Sequence, residues 1–288
     1  MRLPATVATM WCSLGVACTS DERSDGTLDV GEARINYTVA GSGPAVVLIH
    51  GWALSLREWD DQIASLAPHF RVVAYDRRGY GKSTGFADPS ADPGDLQTLL
   101  DTLKIRSAVL VGHSAGADIA TRFAAAIPKR VNGLVLYGGA PPEGFPIPSK
   151  GPGFEFVKTF ARQHGVDSLF RLVEGLPHFR PGPNRTAEMQ ARLDSILAGY
   201  TGRDILQDHP QSGAFPPARF AAVRQWRFPT LFISGAAEEP YWHLASDSLV
   251  RWMPNARKVV VPGGGHGVHF DEPARFNAAL LAFLREIH

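Results

Sequence analysis

Six short, mostly apolar runs recur along the chain, and most are separated by a stretch with helical spacing. That alternation restricts the fold more than any other feature. The runs are Ala45–Ile49, Phe70–Tyr75, Ala108–Val111, Leu134–Tyr137, Thr230–Ile233 and Lys258–Val261. A strand with one wet face alternates polar and apolar residues, whereas a continuous apolar run belongs to a strand covered on both faces, as in a parallel sheet. Helical patterns at 56–66, 95–103, 115–127, 241–252 and 273–287 supply the covering layers. The expectation is an α/β fold: a mostly parallel sheet with helices on both faces. Residues 27–39 alternate weakly, turn at Gly31-Glu32 and read as an antiparallel hairpin leading into it.

One interval breaks the alternation. Between Gly138 and Phe228 no strand pattern occurs, but helical stretches lie at 154–164, 166–174 and 186–200, punctuated by Pro141-Pro142, Pro146, Pro148, Gly151-Pro152-Gly153, Pro181-Gly182-Pro183 and Pro216-Pro217. This reads as a helical cap, residues 141–227, inserted between two parts of a core, residues 27–140 and 228–288. No repeat and no low-complexity tract interrupts it.

The chemistry concentrates where strands end. Gly112-His113-Ser114-Ala115-Gly116 follows one strand run and opens a helical one. A serine on such a strand-to-helix turn is exposed and strained, and its neighbours two residues away must be small where backbones approach. Ser114 is therefore the candidate nucleophile. A hydroxyl needs a base, and Gly263-Gly264-Gly265-His266-Gly267, after the last strand run, offers His266 at the same sheet edge, with His269 as competitor. The other eight histidines read as surface or cap residues. A metal reading of His266 and His269 is weak, because no HExxH pattern accompanies them. A carboxylate must hold the imidazole tautomer; the loop after Ile233 carries Glu238 and Glu239, and Glu143 is a more distant alternative. Acyl transfer also needs donors for the developing oxyanion. His50-Gly51-Trp52 after a strand run, and the residue after the serine, make the Trp52 and Ala115 N–H groups the candidates. Gly81-Lys82-Ser83 imitates the end of a phosphate-binding loop, but Asp76 stands where that motif needs glycine, so the run reads as a turn.

Composition excludes some partners. Hydrophobic residues make up 44% of the 288 and charged residues 20%, enough apolar surface for a sizeable core. The 29 Lys and Arg balance 28 Asp and Glu without a basic stripe, which argues against nucleic acid. The only cysteines are Cys12 and Cys18, so the remainder holds no thiolate ligand or cysteine nucleophile. After Arg2, residues 3–20 carry no charge and run into a polar stretch from Asp21, with Gly15 and Ala17 near a cleavage position. Residues 1–26 therefore read as a signal segment and linker, and Cys18 as a lipid acceptor in a lipoprotein variant of that signal. The expectation is export, with membrane attachment only through a lipid on Cys18; the alternative is a cytoplasmic enzyme.

Taken together, His50-Gly51-Trp52, Trp59, the run Asp76 to Ser83, Gly112 to Gly116, Gly235 to Glu238, Gly265-His266 and Glu272-Pro273 resemble the α/β-hydrolase superfamily from about Thr27 onward. The resemblance implies a chain order of serine, acid, histidine, which favours Glu238 as the acid, although relatives usually carry Asp there. Within the superfamily the chain looks like the esterase, lactonase and cofactor-free perhydrolase group. Dehalogenases and epoxide hydrolases of this fold carry Asp in place of Ser114. The implied activity is cleavage of a small-molecule ester or lactone through an acyl-enzyme, with no cofactor. A carbon–carbon bond hydrolase or lyase on the same triad and a non-catalytic ligand-binding protein are the alternatives.

Overall fold

The structure, a computed structural model, describes residues 23–139, 142–144, 154–176, 179–208 and 218–288. The first 22 residues, with Cys12, Cys18 and the expected signal, lie outside the described residues, as do Pro141, Pro146, Pro148, 151–153 and Pro216-Pro217.

Eight strands form one sheet: β1 (Ser24–Val30), β2 (Ala33–Ala40), β3 (Ala45–Ile49), β4 (Arg71–Tyr75), β5 (Ala108–His113), β6 (Val131–Tyr137), β7 (Thr230–Gly235) and β8 (Ala256–Val261). Their order is β1-β2-β4-β3-β5-β6-β7-β8. The hairpin β1–β2 and the pair β2–β4 are antiparallel; every later pair is parallel. The strand β1 starts at Ser24, inside the segment read as linker, and Arg23 already bonds Thr38 and Asp60.

The central strands show why an apolar run codes for a two-sided sheet. Along β3, Val47 and Ile49 enter one core cluster while Val46 and Leu48 enter the other. The first cluster also takes Leu96 and Leu99 of α2 (Asp92–Thr102), Ile119 and Phe123 of α3 (Ala115–Ala126), and Leu249 of α9 (Pro240–Trp252). The second takes Ile63 and Leu66 of α1 (Asp60–Leu66) and Phe276 and Leu280 of α11 (Pro273–Ile287). Each fully buried Val, Leu or Ile contributes roughly 1.5–3 kcal/mol, so both faces must stay apolar. The helical pattern over 56–66 divides into a 3₁₀ turn at Leu56–Trp59 and then α1.

Between β6 and β7 the helices α4 (Phe154–His164), α5 (Val166–Glu174), α6 (Ala187–Leu197) and α7 (Arg203–Leu206) lie over the carboxyl ends of the strands, where Trp52 and Leu54 meet their small apolar clusters. The boundary at residue 227 differs from the sequence reading. Ala218, Val223 and Trp226, around the short helix α8 (Phe220–Val223), pack into the first core cluster, so this segment belongs with the sheet. No helix among the described residues is long and apolar enough to cross a membrane.

Candidate active site

Ser114 stands between β5 and α3 with φ 51° and ψ −115°. Such a positive φ at a residue with a Cβ costs on the order of 1–3 kcal/mol and persists only where the surroundings enforce it. The enforcement is visible: Ser114 N–H donates to Tyr137 O at 2.9 Å, and its carbonyl accepts from Ala117 N–H at 2.9 Å. The flanking glycines make room. A Cβ on Gly116 would fall 2.0 Å from Ile49 O, and one on Gly112 would fall 2.5 Å from Gly116 O. The strand–turn–helix crossing therefore tolerates no side chain at either position.

His266 sits on the loop after β8, just before the short helix α10 (Val268–Asp271). Its Nδ1 lies 3.2 Å from Glu238 Oε1, and both side chains are buried. Glu238 occupies the turn after β7, where Ala237 N–H donates to Gly264 O and ties the acid loop to the histidine loop. The imidazole packs against Phe179 and Trp242, at ring separations of 5.4 and 5.5 Å. The competitors lie elsewhere. Glu239 precedes the first turn of α9, Glu143 is exposed in a bridge to Arg219, and His269 points to Glu58.

Ser114 and His266 line one cavity, together with His113, Trp52, Leu54, Phe170, Val173, Phe179, Arg185, Leu193, Leu197 and Phe270. Beyond Ser114, His266 and His113 the walls are mostly apolar, and Arg185 among them has its Nε 2.6 Å from Asp271 Oδ1. The Trp52 side chain lines the cavity and donates through Nε1 to Asp204 Oδ2 of the cap at 2.8 Å. Ala115 N–H belongs to the first turn of α3, where amides have no intrahelical acceptor. The Trp52 amide lies in a turn whose next residue, Ala53, has φ 63°.

Two histidines correct the sequence reading, which placed all but His266 and His269 at the surface or in the cap. His50 and His113 are buried. His50 Nε2 accepts Arg77 N–H at 2.9 Å, which leaves Nδ1 to donate to Gly51 O at 2.7 Å. Burial, and then the Arg77 charge, push its pKa down to about 3, so it stays neutral. His113 Nδ1 lies 2.5 Å from Glu58 Oε1, and the ring stacks on Tyr137. Sequence reasoning passed over Glu58. The available signal was an acidic residue set between Leu56 and Trp59 on the buried stripe of a helical pattern. The run after β4 is a turn, as expected: Asp76 accepts from Leu56 N–H, Lys82 N–H and Asn36 Nδ2.

Comparison with known proteins agrees with this fold. The family model described as alpha/beta hydrolase fold matches residues 44–273. A 2-hydroxy-6-oxononadienedioate/2-hydroxy-6-oxononatrienedioate hydrolase of Paraburkholderia xenovorans is 30% identical over 88% of this chain and 91% of its own length. A pimeloyl-(acyl-carrier protein) methyl ester esterase of Pectobacterium atrosepticum is 28% identical over 87% of this chain and 98% of its own length. Among solved structures, a bromoperoxidase of Bacillus anthracis superposes with a TM-score of 0.76 at 29% identity, covering 91% of this chain and all of that one (100%).

Proposed function

The chain belongs to the α/β-hydrolase family, and from that premise we propose that it is a serine hydrolase of carboxylic esters or lactones, with Ser114, His266 and Glu238 as its catalytic residues. The observation that carries the reading is Ser114, strained to φ 51°, opening into the same apolar cavity as an imidazole backed by a buried carboxylate. Glu238 accepts from His266 Nδ1–H, which leaves Nε2 as the base. His266 takes the Ser114 proton as Oγ attacks the carbonyl carbon, and the Trp52 and Ala115 N–H groups receive the oxyanion. The imidazolium then protonates the leaving alkoxide. Water, deprotonated by the same Nε2, releases the acid from the acyl-enzyme. These steps use only side chains and amides of this chain.

Carbon–carbon bond cleavage on the same residues is the second reading, supported by the relative that hydrolyses a dienedioate. A doubly anionic substrate needs cationic partners in the pocket. Arg185, the cation among the described cavity residues, is already matched by Asp271. A neutral ester with an apolar acyl or alkyl group suits these walls better. The test compares kcat/KM for p-nitrophenyl esters of increasing chain length with that for 2-hydroxy-6-oxononadienedioate. Preference for an ester, abolished by Ser114→Ala, supports the proposal; preference for the dienedioate reverses the two readings.

A further inference from the structure

We propose that Glu58 is a positioning residue: from beneath the site, its one carboxylate holds the oxyanion turn, the nucleophile turn and the histidine loop in mutual register. The inference rests on the serine-hydrolase reading above. Glu58 lies on the 3₁₀ turn before α1 with its side chain buried. Its Oε2 accepts Gly51 N–H at 2.9 Å, the amide just before the Trp52 donor. Its Oε1 lies 2.5 Å from Nδ1 of His113, the residue before Ser114, and 3.1 Å from Nε2 of His269, three residues past His266. The two oxyanion donors arise on different strands, after β3 and after β5. Neighbouring strands fix their spacing only to the precision of the sheet, and a shared carboxylate tightens it.

The charge is held in place. Burial works to raise the Glu58 carboxyl, but attraction to His113 and the contacts with both imidazoles outweigh it and hold it well below the usual carboxylate range. Burial, opposed less strongly by Glu58, pushes His269 down to about 4. The group is thus a carboxylate facing neutral His269 at ordinary pH.

Two histidines and a carboxylate also suggest a metal site, since their ligand atoms all lie within 4.8 Å of one another. The spacing argues otherwise. Two ligand atoms of a tetrahedral zinc, each about 2.0–2.1 Å from the metal, stand roughly 3.3 Å apart. At 2.5 Å, Glu58 Oε1 and His113 Nδ1 are in direct carboxylate–imidazole contact.

A donor held slightly out of place loses transition-state stabilisation while leaving ground-state binding nearly intact. Glu58→Gln keeps the shape and removes the charge. It is expected to lower kcat on p-nitrophenyl butyrate by about 10–100-fold with KM within about threefold, against roughly 10²–10³ for outright loss of a donor. Inhibition by an aliphatic trifluoromethyl ketone, whose serine adduct carries the oxyanion, should weaken by the same factor as kcat. His269→Gln, which leaves the Glu58 contacts to Gly51 and His113 in place, should lower kcat by about 3–10-fold at unchanged KM, and it keeps the idea testable if Glu58→Gln does not fold. Wild-type kcat in either folded variant, ketone affinity that follows KM instead of kcat, or a stoichiometric transition metal in the purified wild type would each overturn the proposal. Failure of the underlying reading looks different: wild-type turnover that survives Ser114→Ala removes the serine mechanism itself.

Discussion

Glu238 and Glu239 are adjacent carboxylates on one loop, yet the fold gives them different surroundings. Glu238 turns inward to His266 Nδ1, while Glu239 precedes Pro240 at the head of α9. A carboxylate that fixes a tautomer acts mainly on kcat. Glu238→Gln is therefore expected to lose roughly 10²–10⁴-fold in kcat, and Glu239→Gln to stay within about tenfold. Steady-state kinetics of the two variants check this, and the reverse pattern would move the acid by one residue. Sequence pattern favoured Glu238 only through the resemblance, because side-chain direction in a loop has no period. The turn at Ser114 was legible for the opposite reason: a strand, small residues two positions on either side and a helix all constrain it. The meeting of Glu58, His113 and His269 was hidden, because they come from three separate segments and come together only after the sheet has formed.

At the scale of elements, runs and spacings transferred almost directly into strands and helices; α4, α5 and α11 have the limits that the pattern predicts. What pattern could not show is how the cap is held. Its buried apolar clusters are small, so polar contacts matter. Asp204 of α7 accepts from Trp52 Nε1 at 2.8 Å, from Tyr80 hydroxyl at 3.0 Å and from Tyr200 hydroxyl, with the two tyrosine rings stacked. One cap carboxylate thus fastens α7 to the turn after β3 and to the turn after β4. Removing it leaves donors that cost about 1–3 kcal/mol each when buried and unpaired. Asp204→Ala should raise KM by about tenfold, equivalent to roughly 1.4 kcal/mol, change kcat less, and speed proteolytic cleavage within 154–208. Unchanged KM and unchanged proteolysis would show that the apolar contacts suffice.

Across the whole molecule, buried histidines link stability to pH. His50 and His269 are held down to about 3 and about 4, from the ordinary 6.5, chiefly by burial. Both are neutral in the fold but take protons in the unfolded chain below about pH 6.5, so the unfolded state binds more protons there and stability rises with pH. Their contribution is complete above about 6.5 and is lost as pH falls toward 4 and then 3; Glu58, held low in the fold, loses its own share below about 4.5. Urea unfolding at pH 7.5, 5.5 and 4.5 should show a decline of a few kcal/mol, and a flat profile would contradict burial of neutral imidazoles. Through the same architecture, eight strands bring residues from both ends of the chain to one sheet edge, and the account depends on what that edge does chemically. Its centre is that Ser114 is the nucleophile. Intact-mass and peptide mapping after incubation with a fluorophosphonate probe tests this most directly. One adduct per chain, on the peptide containing Ser114 and absent from Ser114→Ala, is the predicted result; an unlabelled but ester-cleaving wild type, or equal labelling of Ser114→Ala, would contradict it.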